Sequence, residues 1–277
     1  MVSILALAAA LMWGAGDFLG GIASRRVSVL AVLALSEAVG LIGVVLWVVV
    51  AGDPFPGVSE LLPAVAGGFA GVIGLAALYR GFAVGAMGIV APISAASPLV
   101  PLSVDAAHGI TPGPLQWLGV ALVVGGVVTL SRERSSTDGQ RLAAGVALAI
   151  VAALGFGAFI VGLDAGSDQS APWAVVAARG ASLALVLVGV AFTSTSLGIA
   201  RRLVPLVVAV GVFDTAANVA VAFATTKGAA GIVAVLSALY PVVTVVLARL
   251  VLDERLTTSR RIGGVVTLAG AALVAVG

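Results

Sequence analysis

No cysteine occurs anywhere in the chain, which excludes disulfides and thiol chemistry while leaving the compartment open. Histidine occurs once, at His108, too few to supply a metal cluster. No nucleophile–base constellation or phosphate loop accompanies it, so neither catalysis nor a cofactor is expected. Charge is also scarce: Asp, Glu, Lys and Arg make up 9% of the residues, against about 25% in soluble domains. With 61% hydrophobic residues, no aqueous surface could be built from this composition. The expected class is a polytopic membrane protein whose first partner is the lipid bilayer.

Uncharged runs such as Leu61–Tyr79, Leu142–Leu163, Ala181–Ala200 and Gly228–Ala248 reach the ~20 residues needed to cross ~30 Å of hydrocarbon as helices. Lipid offers backbone groups no partner, and the runs lack the short alternation of membrane strands, so an all-α fold is expected. Hydropathy places ten spans at 3–22, 29–51, 61–82, 87–108, 113–131, 142–163, 171–194, 203–225, 229–251 and 260–277. The first is expected to be a retained helix, because no basic residue precedes it and Arg25-Arg26 follow it.

Basic residues are nearly missing from one face. The loops after spans 1, 3, 5, 7 and 9, with their adjoining helix ends, hold Arg25, Arg26, Arg80, Arg132, Arg134, Arg141, Arg201, Arg202, Arg249, Arg255, Arg260 and Arg261; the other face has Lys227. This bias predicts a multi-pass protein of the plasma membrane with cytoplasmic odd-numbered loops and both termini outside. The outer loops read as acidic, with Asp53, Glu60, Asp105, Asp164 and Asp168. A pI of 9.7 does not imply nucleic acid, since the basic residues form no continuous patch with aromatics.

One passage occurs twice. Gly85–Val100 reads GAMGIVAPISAASPLV and Gly228–Val243 reads GAAGIVAVLSALYPVV, identical at ten of sixteen positions and 143 residues apart. Leu11, Gly14 and Ala15 match Leu154, Gly157 and Ala158 at the same spacing. The expected organisation is two five-helix repeats, 1–134 and 142–277, joined by the short hydrophilic RERSSTDGQR segment Arg132–Arg141. Five crossings per repeat make the second copy start on the opposite face, so the expected architecture is an inverted repeat.

Trp13-Gly14 in span 1, and GIVAVLSALYPVVTVVLARLVLDERLT with Ser237, Pro241 and the Glu254-Arg255-Leu256 triplet, resemble the EamA-domain family of the drug/metabolite transporter superfamily. The chain departs from that pattern at Tyr240, where family members commonly have Glu. The first half lacks the triplet and reads Gly109-Ile110-Thr111-Pro112. Arg179 fits the family's arginine in the second span of a repeat, but the first repeat has Ser36-Glu37 there. The resemblance implies a ten-helix carrier with a central cavity lined mainly by spans 1, 3, 4, 6, 8 and 9, and it puts spans 2 and 7 behind the cavity wall.

An ionisable side chain near the bilayer centre costs at least ~2.5–3.5 kcal/mol on insertion scales, so each is a functional candidate. Glu37 lies eleven residues after Arg26, Asp214 twelve after Arg202, and Arg179 about eight into its span, which places all three near the midplane. Glu37 and Arg179 are expected either to pair permanently or to exchange partners, and Asp214 to bind a proton or a substrate amine. Asn218, at i+4 from Asp214, shares its helix face and serves either as a ligand contact or as interhelical glue.

Asp17 is read as a gate or coupling residue or, more readily, as an interfacial charge beside Arg25-Arg26. Trp13 could stack on substrate, and Trp47 and Trp117 fit the interfacial aromatic belt. Spans 4 and 9 carry Pro92, Pro98, Pro101 and Pro241, which free backbone carbonyls; Ser94 and Ser97, and Ser237 and Tyr240, lie beside these breaks as further ligand candidates, unless the serines only mend the helix. GxxxG spacing at Gly16/Gly20, Gly67/Gly71 and Gly81/Gly85 permits close helix approach.

The expected function is secondary transport of a small-molecule substrate by alternating access. Efflux or exchange of metabolites such as amino acids, or of drug-like amphiphiles, leads, with protons as the candidate coupling ion. A sugar or nucleoside permease and a non-transporting membrane scaffold are the alternatives, and oligomeric state is left open.

Overall fold

The computed structural model describes residues 1–24, 26–84, 93–94, 96–131, 139–251 and 258–276. Arg25, Pro92, Gly85, most of the linker and the Glu254-Arg255-Leu256 triplet lie outside the described residues. The described secondary structure is helical, with no strand among the described residues: α1 (Val2–Ser24), α2 (Val29–Ala51), α3 (Val58–Val84), α4 (Leu99–Ala107), α5 (Pro114–Ser131), α6 (Gly139–Gly166), α7 (Ala171–Thr193), α8 (Val204–Thr225), α9 (Ala230–Ser237), α10 (Tyr240–Val251) and α11 (Thr258–Val276).

Among the described residues, six helices, α1 to α3 and α6 to α8, contain segments long and apolar enough to cross a membrane, and Pro114–Thr129, Ala230–Thr244 and Arg261–Val276 form shorter apolar stretches. The helix boundaries follow local chemistry. Ser28 caps α2 by accepting the Ala31 N–H at 3.3 Å, and Gly52, at φ 68°, closes that helix in the left-handed conformation. Ser170 caps α7 by accepting from Trp173, with Pro172 in the first turn.

The span expected over 229–251 is broken where Pro241 predicts a break: α9 ends at Ser237 and α10 starts at Tyr240. Pro241 has no N–H to give back to Ser237, which accounts for the interruption. In the first half Ser97 and Pro98 likewise lie in a turn ahead of α4.

Small residues hold the helices together. The core consists largely of buried Ala and Val, while Ile4, Leu11, Val50 and Phe192 are exposed and apolar, as suits a lipid-facing surface. α3 and α6 approach through glycine: a Cβ on Gly155 would fall 2.6 Å from the Ala70 carbonyl, and one on Gly162 would fall 2.5 Å from that of Pro63. Gly67 and Gly71 face Phe159, and Gly16 and Gly20 face Val210, so these two GxxxG pairs serve contacts within the chain. Gly162→Leu should therefore overpack the α3–α6 seam and cost roughly 1–3 kcal/mol or more, read as a lower thermal midpoint in detergent. Gly43→Leu, with nothing within 4 Å, should leave the midpoint unchanged.

These contacts recur between halves. Gly14 of α1 fits against the Tyr240 carbonyl and Val243, and Gly157 of α6 fits against the Ser97 carbonyl and Val100, each residue displaced by the same 143 positions as the sequence repeat. α1 with α8 and α6 with α3 form corresponding pairs. The sequence duplication is thus reproduced in helix packing.

Candidate functional site

Arg179 is among the most deeply buried large side chains, at 2% exposure, and it is held by two carboxylates. Its Nη1 lies 2.8 Å from Glu37 Oε2, and its Nη2 donates to Asp214 Oδ2. Glu37 comes from α2, Arg179 from α7 and Asp214 from α8, so one guanidinium ties three helices from both halves. Close backbone approach makes this possible. Gly211 of α8 sits against the Ser36 carbonyl, and Gly68 of α3 sits against Ala178, positions that leave no room for a Cβ.

One arrangement goes beyond the expected pair: Arg179 is not held by Glu37 alone, because Asp214, the expected proton or amine site, shares the same guanidinium. The reason is geometric: Gly211 brings α8 beside α2, so Asp214 reaches the same guanidinium. Among the three, Asp214 is the accessible one, with its side chain 37% exposed against 11% for Glu37. With both carboxylates ionised the cluster carries one net negative charge.

Asn218, on the same face of α8, goes elsewhere. Its Oδ1 accepts the Trp13 indole N–H at 3.0 Å, bridging α8 to α1. Trp13 in turn meets Tyr240 edge-on, with ring centroids 6.4 Å apart. Thr244 Oγ1 lies 3.1 Å from both the Gly14 and Tyr240 carbonyls and stitches α1 to α10 at the helix break. Trp13, Asn218 and Tyr240 thus form one aromatic and polar corner beside the charge cluster.

Asp17 is exposed on α1, and among the described residues the ionisable group near it is Asp214. Gly16 lets α1 close onto Val210, Phe213 and Asp214, which brings this acidic neighbour near; Arg25, one of the two expected basic neighbours, lies outside the described residues. Arg26 is exposed and lines a separate surface groove.

Ser237 donates to the Val233 carbonyl at 2.8 Å, so its hydroxyl serves the backbone of α9. Ser94 is buried, and Ser97 contributes its carbonyl to the contact with Gly157. Trp47 and Trp117 are about half exposed near helix ends. His108 is exposed at the C-terminal cap of α4.

Asp105 reads as an outer-loop acid in the sequence, but it is 7% exposed within α4 and its Oδ2 accepts the Gly231 N–H of α9 at 2.7 Å. A carboxylate here satisfies one free donor at a helix start across the two halves. The repeat offers no signal for it, since the residue 143 positions later is Ala248.

A family model described as the EamA-like transporter family matches residues 1–132 and 143–276. No curated protein matches the sequence. A solved structure titled "Crystal structure of protein" is similar over 98% of this chain and 95% of its own, with a TM-score of 0.80 and 18% identity, a likeness of fold.

Proposed function

Because the chain belongs to the EamA-like transporter family, we propose that it is a secondary carrier that exports or exchanges small organic solutes, such as amino acids or drug-like amphiphiles, by alternating access of two inverted five-helix repeats. The observation that carries this reading is the shared guanidinium. Protonating Asp214 leaves Glu37 and Arg179 as a neutral pair, so the cluster can gain or lose one charge without stranding a buried ion. A solute cation could occupy the same carboxylate in place of the proton. Trp13, Asn218 and Tyr240 supply the adjoining surface for an amphiphilic solute, and Asp17 adds a second exposed carboxylate.

The purified chain in liposomes with an imposed pH gradient should accumulate or release an amine-bearing metabolite or a cationic amphiphile faster than empty liposomes. Flux that ignores the pH gradient would remove proton coupling; no flux across such a panel would remove the carrier reading. Reporters fused after Gly277 and within Arg132–Arg141 should fall on opposite faces, with the linker cytoplasmic. A cytoplasmic C-terminus would reverse the orientation and leave the repeat intact.

In this mechanism the Asp105–Gly231 hydrogen bond is a latch that keeps α4 and α9 together when the outer side is closed. Asp105→Ala leaves the Gly231 N–H unpaired, and a hydrogen bond to a charged group contributes ~1.5–3 kcal/mol. The natural lack of cysteine permits a clean readout. In an Ala229→Cys background, Asp105→Ala should raise labelling by an impermeant maleimide roughly tenfold or more, and Asp105→Asn, which keeps an acceptor oxygen, should raise it less. Equal labelling of all three proteins would remove the latch.

A further inference from the structure

The turn between α1 and α2 and the segment between α7 and α8 border an open groove of about 450 Å³ whose polar lining comes from Arg26, Ser28, Thr195, Ser196 and Arg202. We propose that this groove binds the phosphate of an anionic phospholipid in the leaflet that meets the arginine-rich loops. The site lies apart from the Arg179 cluster and does not depend on the transport reading.

Three features point to a phosphate. Both guanidinium groups belong to exposed residues, and neither has an ion-pair partner among the described residues. Among the described residues no acidic side chain lines the cavity, and those that do line it present an entering anion with two positive charges and three hydroxyl-bearing residues. Arginine's planar fork matches phosphate oxygens, and charge-assisted hydrogen bonds of this kind are the strong ones.

Two features favour a lipid over a soluble phosphate. The cavity's apolar side is formed by Val27 and Leu203, above buried Ala23, Val32 and Val207. In the segment that supplies Thr195 and Ser196, Phe192 is 88% and Leu197 48% exposed, so the same stretch of chain offers uncovered apolar side chains to an acyl chain. Basic clusters at a membrane interface attract anionic headgroups.

The fold does not require arginine at these places. Displaced by the repeat, Arg26 corresponds to Gln169 and Arg202 to Ser59, so the equivalent positions of the other half carry no positive charge. The two arginines also add to the positive-inside bias, but that bias asks for no common cavity and no hydroxyl lining.

The test is native mass spectrometry of the detergent-solubilised full chain titrated with phosphatidylglycerol or phosphatidylcholine. Wild type should retain a first phosphatidylglycerol in preference to phosphatidylcholine. Arg26→Gln combined with Arg202→Gln should weaken that binding roughly tenfold or more, and Arg80→Gln, at an exposed arginine outside the groove, should not. Should the neutral double variant fail to fold, Arg26→Lys with Arg202→Lys keeps the charge and loses the fork, and intermediate binding is expected. Phosphatidylglycerol binding to either double variant at wild-type strength would overturn the proposal. Displacement of the lipid by millimolar inorganic phosphate would overturn the lipid assignment and reassign the groove to a soluble phosphate group.

Discussion

Arg179→Gln should be the most destabilising single substitution in the chain, because it removes the one cation that two carboxylates share. Breaking a buried pair from one side typically costs ~3–5 kcal/mol. Here Glu37 loses its partner within the helix bundle, where water is scarce, and Asp214 loses its anchor as well. Glu37→Gln should be milder, since Arg179 keeps Asp214. That ordering distinguishes the shared guanidinium from a simple pair, for which either single substitution would be equally damaging. Combining Arg179→Gln with Glu37→Gln should restore part of the loss, and adding Asp214→Asn should restore most of it. Thermal midpoints of the detergent-purified proteins read the series directly. If Glu37→Gln proved as harmful as Arg179→Gln, or if the triple variant recovered nothing, the three residues would not act as one cluster.

Asp214→Asn should abolish transport driven by a pH gradient while expression and thermal midpoint stay near wild type. The substitution preserves size and one acceptor oxygen, and it leaves Glu37 to compensate Arg179, so folding has little reason to fail. What it removes is the proton that the accessible member of the cluster could carry. If Asp214 couples protons, exchange of solute at equal pH on both sides should survive in the variant. If it binds an amine, exchange should fail too. Gradient-driven flux at the wild-type rate would exclude Asp214 from the mechanism and shift attention to Asp17, the other exposed carboxylate on the same wall.

Helix positions are legible in the sequence because hydropathy is a local quantity. Spans expected at 29–51 and 203–225 appear as Val29–Ala51 and Val204–Thr225, with caps and prolines at the ends. Where the sequence is silent, the missing information is interhelical. Nothing in the stretch around Asp105 says that a backbone N–H of a helix 126 residues away will sit at its carboxylate. Likewise, i+4 spacing puts Asp214 and Asn218 on one face of α8, but it cannot say that the first will reach α7 and the second α1. The break after Ser237 is foreshadowed by Pro241, whereas the fit of Gly14 against the carbonyl at that break requires both helices to be in place.

Composition and the 143-residue duplication were enough to dictate a bilayer-embedded helical chain in two related halves, because the cost of burying charge and the demand for backbone hydrogen bonds in lipid apply to any segment regardless of its neighbours. Packing alone chose which charges meet. A midplane ion is stabilised by whatever lies within a few ångströms, and that is set by how far glycines let backbones approach and by the rotation of each helix about its axis. Gly211 against Ser36 and Gly16 against Val210 make those choices here: two acids and one arginine scattered along the chain become a single cluster with Asp214 at its accessible edge, and Asp17 is brought alongside.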